Sequence, residues 1–287
     1  MTTSRSLLVT DLDNTLWDWF AAWHASFSAL LGALEGLSGI DSATLEPEIR
    51  KVHQLRGTTE YSHLLNEVPA LIDAAKGRPP MEAFDEAVHR MNSERRKHTA
   101  LYPGVLDTLT KLKSQGVRIV AYTESVAYWT EWRIKHTGLD GIIDVLYSAP
   151  DHDLPTGVEF RDIRRRSDGE FGLKKTSHQH VPRGVTKPSP EILKAILDDS
   201  DKTCVEAVYV GDSLMKDIVM AQAVGVLDVH AKYGEPQGLE QYGLLQKVSH
   251  WPDRDVEREQ EILDKRDIYA SRVLESGFAG VADLFVG

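Results

Sequence analysis

The chain has 287 residues, 41% of them hydrophobic and 27% charged, with a formal net charge of −11. That suits one large or two modest globular domains with a sizeable core, and no apolar run approaches the roughly 20 residues needed to span a bilayer. The acidic balance argues against general nucleic-acid binding, and Cys204, the single cysteine, excludes an intrachain disulfide and a cysteine-rich zinc site.

The segment Met1 to Ser6 is short and polar, unlike a secretory leader, so the expected setting is cytoplasmic, without a membrane partner. Leu7-Leu8-Val9 then reads as a buried strand, and Asp11-Leu12-Asp13-Asn14-Thr15-Leu16 follows it directly. Two carboxylates separated by one residue at a strand end can divide the work of a nucleophile and of a general acid or base. Residues 17–100 change rhythm. Phe20, Trp23, Phe27, Leu30 and Leu34 recur at helical spacing, as do Met81, Phe84, Val88 and Met91, and no strand of comparable quality lies between. Over eighty residues far exceed an ordinary crossover, so this stretch is expected to be an inserted helical subdomain. Within it, Leu55-Arg56-Gly57-Thr58-Thr59-Glu60 is a polar break.

Val105, Leu106, Leu109 and Leu112 predict one apolar helix face, and Val117 to Ala121 predicts the next strand. It ends in Tyr122-Thr123-Glu124, where a hydroxyl and backbone amides can hold phosphate oxygens, especially if a helix begins there. Ile142 to Tyr147 is a less regular strand. Residues 149–185 are rich in Pro, Gly, His and charge, with Arg164-Arg165-Arg166 and Lys174-Lys175, and are expected to be an insertion or long loop. The basic residues there could attract an anion. His178 and His180 have a spacing compatible with a metal but no obvious carboxylate or cysteine company.

Thr186-Lys187-Pro188-Ser189-Pro190-Glu191 precedes a helix whose face carries Ile192, Leu193, Ile196 and Leu197. Pro190 suits the first helical position and Ser189 the cap, and the two prolines hold the chain around Lys187, an ammonium able to neutralise a transferring phosphoryl group. Ala207 to Val210 predicts a strand running into Gly211-Asp212-Ser213-Leu214-Met215-Lys216-Asp217, and Val226 to Val229 predicts another. Magnesium commonly takes one or two carboxylates and keeps several waters, and Asp11 and Asp212 could supply them, with Asp217 holding a metal-bound water. The tail from Val256 to Leu274 has a charged, helical pattern. Near-continuous apolar strands alternating with amphipathic helices define an α/β fold with a doubly wound parallel sheet.

Taken together, the four segments around Asp11, Thr123, Lys187 and Asp212 resemble, in order, the motifs of the haloacid dehalogenase superfamily. The resemblance covers roughly residues 5–16 and 101–287, within an expected Rossmann-like core of residues 1–16 and 101–287, and residues 17–100 match the location of that family's helical cap. It implies a phosphatase acting on a small phosphomonoester, with Mg²⁺ as cofactor. Asp11 would form an aspartyl-phosphate. Asp13 would protonate the leaving oxygen, then activate water, and its backbone carbonyl would bind the metal. Thr123, Glu124 and Lys187 would bind the phosphoryl group, Asp212 and Asp217 would complete the metal site, and Thr15 would steady the loop. The resemblance also points to Arg56 and Thr58 as specificity residues in the cap. The dehalogenases of this superfamily lack an aspartate at the position of Asp13, which favours phosphoryl chemistry here. A phosphotransferase or mutase using the same aspartates, or a non-catalytic phospho-ligand-binding protein, are the alternatives.

Overall fold

The computed structural model describes residues 5–151, 157, 172–255, 257, 261 and 268–285. Their strands are β1 (Leu7–Thr10), β2 (Arg118–Val126), β3 (Val145–Ala149), β4 (Ser177–His180), β5 (Ala207–Gly211), β6 (Leu227–His230) and β7 (Arg272–Val273). They form one parallel sheet in the order β4-β3-β2-β1-β5-β6-β7. Successive side chains on a strand face opposite ways. In β1, Leu8 packs with Val105, Leu109 and Leu112, whereas Leu7 and Val9 pack with Leu193, Ile196 and Leu197. Both faces are therefore covered, which is why these strands read as continuous apolar runs.

Between β1 and β2 lie α1 (Trp19–Ser38), α2 (Ser42–Arg56), α3 (Pro69–Ala74), α4 (Pro80–Ala83) and α5 (Asp85–His98). Asp18 starts α1 by accepting a hydrogen bond from the Ala21 amide at 2.8 Å. The aromatic face of α1 enters a core of its own, in which the Trp23 and Phe27 rings stack at 5.1 Å. The sheet is flanked by α6 (Val105–Ser114), α7 (Ala127–His136), α8 (Pro190–Asp199) and α9 (Val219–Val224). A further helix, α10 (Tyr242–Val248), follows β6 but joins the core of the inserted helices through Tyr242, Leu245 and Val248. His53 of α2 donates from Nδ1 to the Val248 carbonyl at 2.6 Å, and Arg50 donates to the carbonyl of Gln246.

Several local expectations change. The segment expected as a long loop, 149–185, contributes the edge strand β4, whose Ser-His-Gln-His sequence has no apolar pattern because most of it is exposed. Arg164–Arg166 lie outside the described residues, as does most of the tail expected to be helical, where Arg272 and Val273 instead pair with β6. Leu106 is largely exposed rather than on the buried face of α6. Pro190 does begin α8, but the Ser189 side chain makes no capping bond.

Candidate active site

Strand order reverses at β1. The chain runs outward through β2, β3 and β4 on one side, then returns to add β5, β6 and β7 on the other. In such sheets ligands bind beyond the carboxyl ends of the strands at the reversal. Asp11 leaves the end of β1 and Asp212 the end of the adjacent β5. Asn14 turns the loop after β1 with φ 57°, a left-handed conformation asparagine tolerates, and its Oδ1 accepts from the Phe20 amide at 3.0 Å.

Lys187, buried at the approach to α8, donates to Asp11 Oδ1 at 2.5 Å and to Asp217 Oδ1 at 2.9 Å. Asp217 lies in a π-helical turn (Leu214–Ile218), where it also accepts from the Tyr209 hydroxyl at 2.8 Å and the Ser213 amide at 3.1 Å. Gly211 is required by this packing, because a Cβ there would lie 2.3 Å from Asp217 Cγ. Burial pushes the Asp11 carboxyl up to about 7, with Lys187 opposing and Asp217 adding to the rise. Asp212 is driven well above the usual carboxylate range by burial and then by Asp11 and Asp217. Burial disfavours the charged form of Lys187, but Asp11 and Asp217 outweigh it and hold the ammonium well above its usual value.

Asp11, Asp212 and Asp217 offer oxygens within 4.8 Å of one another, the one such three-ligand group among the described residues. Three hard oxygen donors, with Asp212 raised by its own neighbours, fit a magnesium ion, since a divalent cation would relieve their mutual repulsion. His178 instead donates from Nδ1 to Glu131 at 2.9 Å, and its Nε2 lies 2.8 Å from the Ser148 hydroxyl oxygen.

Asp13 accepts from the Trp17 indole at 2.6 Å and from the Ser125 hydroxyl at 2.5 Å, and Arg133 Nη1 is 3.8 Å from it. Ser125 reaches it because β2 loses register with β3 between Tyr122 and Val126, where four steps along β2 oppose two along β3. Thr123 sits in this irregular stretch. The helix expected next to it begins only at Ala127, so Thr123 is within a strand rather than at a helix end, and its hydroxyl accepts from the Ser125 amide at 3.1 Å. Glu124 accepts from the Lys187 amide at 2.9 Å and the Lys216 ammonium at 2.5 Å, so its carboxylate braces the two lysines.

These groups line one end of a cavity of about 560 Å³. Its other end is formed by residues 57–60 of the inserted helices and by the stretch containing α10. Thr58 lines this end. Arg56 is not among the lining residues, because its guanidinium makes a two-point pair with Glu67, at 2.8 and 2.6 Å, and lies over Tyr61. Glu60 anchors the 57–60 stretch. It accepts from Arg133 and, at 3.2 Å, from the Trp19 indole, while its carbonyl accepts from Trp129 at 3.0 Å. Burial raises the Glu60 carboxyl, but Arg133 and Arg95 prevail and leave it below its usual value.

Ser125, Lys216 and His250 are among the residues lining this cavity to which the sequence reading gave no role, and so is Arg133, which pairs with the lining residue Glu60. Ser125 was within reach of it, one residue beyond Tyr122-Thr123-Glu124. Glu60 and Arg133 are 73 positions apart, and nothing in the local pattern of either marks the pair.

The haloacid dehalogenase-like hydrolase family model matches residues 6–225. The chain belongs to that family. A curated relative, the glyceraldehyde 3-phosphate phosphatase of Methanopyrus kandleri, is 26% identical over 163 residues, 57% of this chain, and the match spans about half (55%) of that relative. Among solved structures, a 2-haloacid dehalogenase of Pseudomonas syringae has 20% identity and a TM-score of 0.57, with 98% of this chain and 97% of that one covered. The HAD-hydrolase YfnB of Bacillus subtilis has 13% identity and a TM-score of 0.50, with 95% of each chain covered. At these identities the two structures speak to the fold alone.

Proposed function

We propose that this hydrolase is a magnesium-dependent phosphatase that cleaves a small phosphomonoester through an aspartyl-phosphate on Asp11. The observation that carries the reading is the convergence, at one sheet edge, of Asp11 with Lys187 at 2.5 Å, the Asp212 and Asp217 carboxylates, and Asp13 held separately by Trp17 and Ser125. The name of the Methanopyrus relative agrees with it.

Asp11, Asp212 and Asp217 would hold the magnesium ion, together with the Asp13 carbonyl that family resemblance suggests, and the ion would offset charge on the phosphoryl oxygens. Lys187 and the Thr123 hydroxyl bind those oxygens. An Asp11 carboxylate oxygen attacks phosphorus, the bond to the leaving oxygen breaks, and Asp13 gives that oxygen its proton. A water then attacks the phosphorus of the aspartyl-phosphate while Asp13 takes its proton, and inorganic phosphate leaves with the Asp11 carboxylate restored. The inserted helices act as a cap that limits access of bulk water.

The test is phosphate release from p-nitrophenyl phosphate and a panel of natural phosphomonoesters, with magnesium and with chelator. Magnesium-dependent release is expected, and Asp11→Asn should lower it by more than about 10³-fold without loss of fold. Release that survives Asp11→Asn would reject the covalent route, and isomerisation of a sugar phosphate without net phosphate release would make the protein a mutase.

A further inference from the structure

The Lys187 ammonium lies over two tyrosine rings. Tyr122 of β2 and Tyr209 of β5 flank β1 from either side and pack on the sheet face that α8 covers, together with Val9. Both are almost fully buried. The Lys187 Nζ is 5.0 Å from the centroid of the Tyr122 ring and 5.7 Å from that of Tyr209. Within about 6 Å, the negative face of an aromatic ring attracts a cation, and more strongly where water is excluded. Tyr209 has a second hold. Its hydroxyl donates to Asp217 Oδ1 at 2.8 Å, the same oxygen that accepts from Lys187 at 2.9 Å. The Tyr122 hydroxyl, by contrast, is buried with no hydrogen-bond partner among the described residues, so this side chain acts through its ring.

Resting on the phosphatase reading, we propose that Tyr122 and Tyr209 are positioning residues that hold Lys187 in place for phosphoryl transfer. A lysine ammonium has three donors on a flexible stem. Asp11 and Asp217 take two of them, which leaves the third for a phosphoryl oxygen. When Asp11 attacks phosphorus, its carboxylate becomes an acyl phosphate and its charge passes to the phosphoryl group. Lys187 then loses its nearest carboxylate partner in mid-reaction. The two rings and Asp217 do not change in that step, so they keep the ammonium where charge develops.

The experiment is steady-state hydrolysis of p-nitrophenyl phosphate with magnesium by wild type, Tyr122→Leu, Tyr122→Phe and Tyr209→Phe, each variant also combined with Lys187→Met. Tyr122→Leu removes a ring and should lower kcat about tenfold while KM changes less than about threefold. Tyr122→Phe keeps the ring and should restore kcat. Tyr209→Phe keeps the ring but takes the hydroxyl from Asp217, and should lower kcat about threefold. In Lys187→Met both losses should vanish, because a residue that acts through Lys187 has nothing left to position. A merely structural role would give the same loss with and without Lys187, and that result overturns the inference. Full kcat in Tyr122→Leu, or no recovery in Tyr122→Phe, overturns it as well. Melting temperatures report folding, and if Tyr122→Leu does not fold, Tyr209→Phe with and without Lys187 decides. No hydrolysis by the wild type instead rejects the phosphatase reading itself.

Discussion

The two ends of the cavity are built in different ways. At the phosphate end, Asp11, Thr123, Asp212 and Asp217 all come from the carboxyl edge of β1, β2 and β5, within a few residues of a buried strand, and Lys187 comes from the approach to α8. Their positions are set once the strands pair. The far end has no such frame. Residues 57–60 and the stretch around α10 reach it through Glu60 docked on Arg133, His53 on Val248 and Arg50 on Gln246, together with the apolar contacts of Tyr242, Leu245 and Val248. One end is fixed by backbone topology and the other by side-chain contacts. The first should therefore fail in chemistry when altered, and the second in stability and closure.

The largest effect that would test this contrast is at Lys187. Lys187→Met leaves Asp11, Asp212 and Asp217 without their cation, so kcat/KM should fall by about 10²- to 10³-fold, measured as phosphate release. The fold should persist, because the carboxylates can protonate. A variant that keeps more than a tenth of wild-type turnover would mean that Lys187 serves structure rather than the phosphoryl group.

Arg133 is the corresponding test of the far end. It is almost fully buried and touches both Glu60 and Asp13. Arg133→Met leaves the buried Glu60 carboxylate with only the longer Arg95 contact at 3.9 Å and the Trp19 indole among its described partners, and removing one partner of a buried pair costs about 3 kcal/mol, readable by denaturant unfolding. Turnover should fall less than in Lys187→Met, and Glu60→Gln should cost less stability because Trp19 can still donate to it. If Arg133→Met loses activity as severely as Lys187→Met with stability intact, the division between the two ends breaks down.

Magnesium should act only at the phosphate end. At a concentration 100 times its dissociation constant, a ligand specific to the folded state adds about 2.7 kcal/mol, so wild type should gain roughly 5 °C in melting temperature. Asp212→Asn should lose that gain, and Arg133→Met should keep it. An unchanged gain in Asp212→Asn would remove that residue from the metal site.

The same division explains what the sequence disclosed. Asp11 and Asp13 after Leu7-Leu8-Val9, and Asp212 after Val208-Tyr209-Val210, were readable because an apolar run leading into acidic residues sets those residues at the carboxyl end of a buried strand. The inserted helices were readable from the 3.6-residue recurrence in α1 and α5. Strand β4 was not, since an exposed edge strand needs no apolar residues, and neither was β7, which is two residues long. Arg133 lies between Trp132 and Ile134 and carries no mark of its partner Glu60, which follows α2. Arg56 shows the converse: a basic residue in a polar break suggested a contact with substrate, whereas in the structure Glu67, eleven positions on, holds its guanidinium.

The smallest effect concerns pH, through His53 at the α2–α10 junction. It is fully buried, and burial lowers its imidazole from 6.5 to about 4 even though the bond to Val248 favours the charged form. The folded state therefore keeps His53 neutral while the unfolded chain binds a proton below about 6.5. Between those values the unfolded state holds more protons, so stability is complete above pH 6.5 and declines as pH falls toward 4. The total loss is about 3 kcal/mol, and at pH 5 it is about 2 kcal/mol. His53→Leu removes this contribution, so its stability, lower at pH 7.5 for want of the Val248 bond, should fall less steeply on acidification. Equal slopes for the two proteins between pH 6.5 and 4.5 would show that His53 opens to solvent without unfolding, and that the far end of the cavity is held by its apolar contacts through Tyr242, Leu245 and Val248 instead.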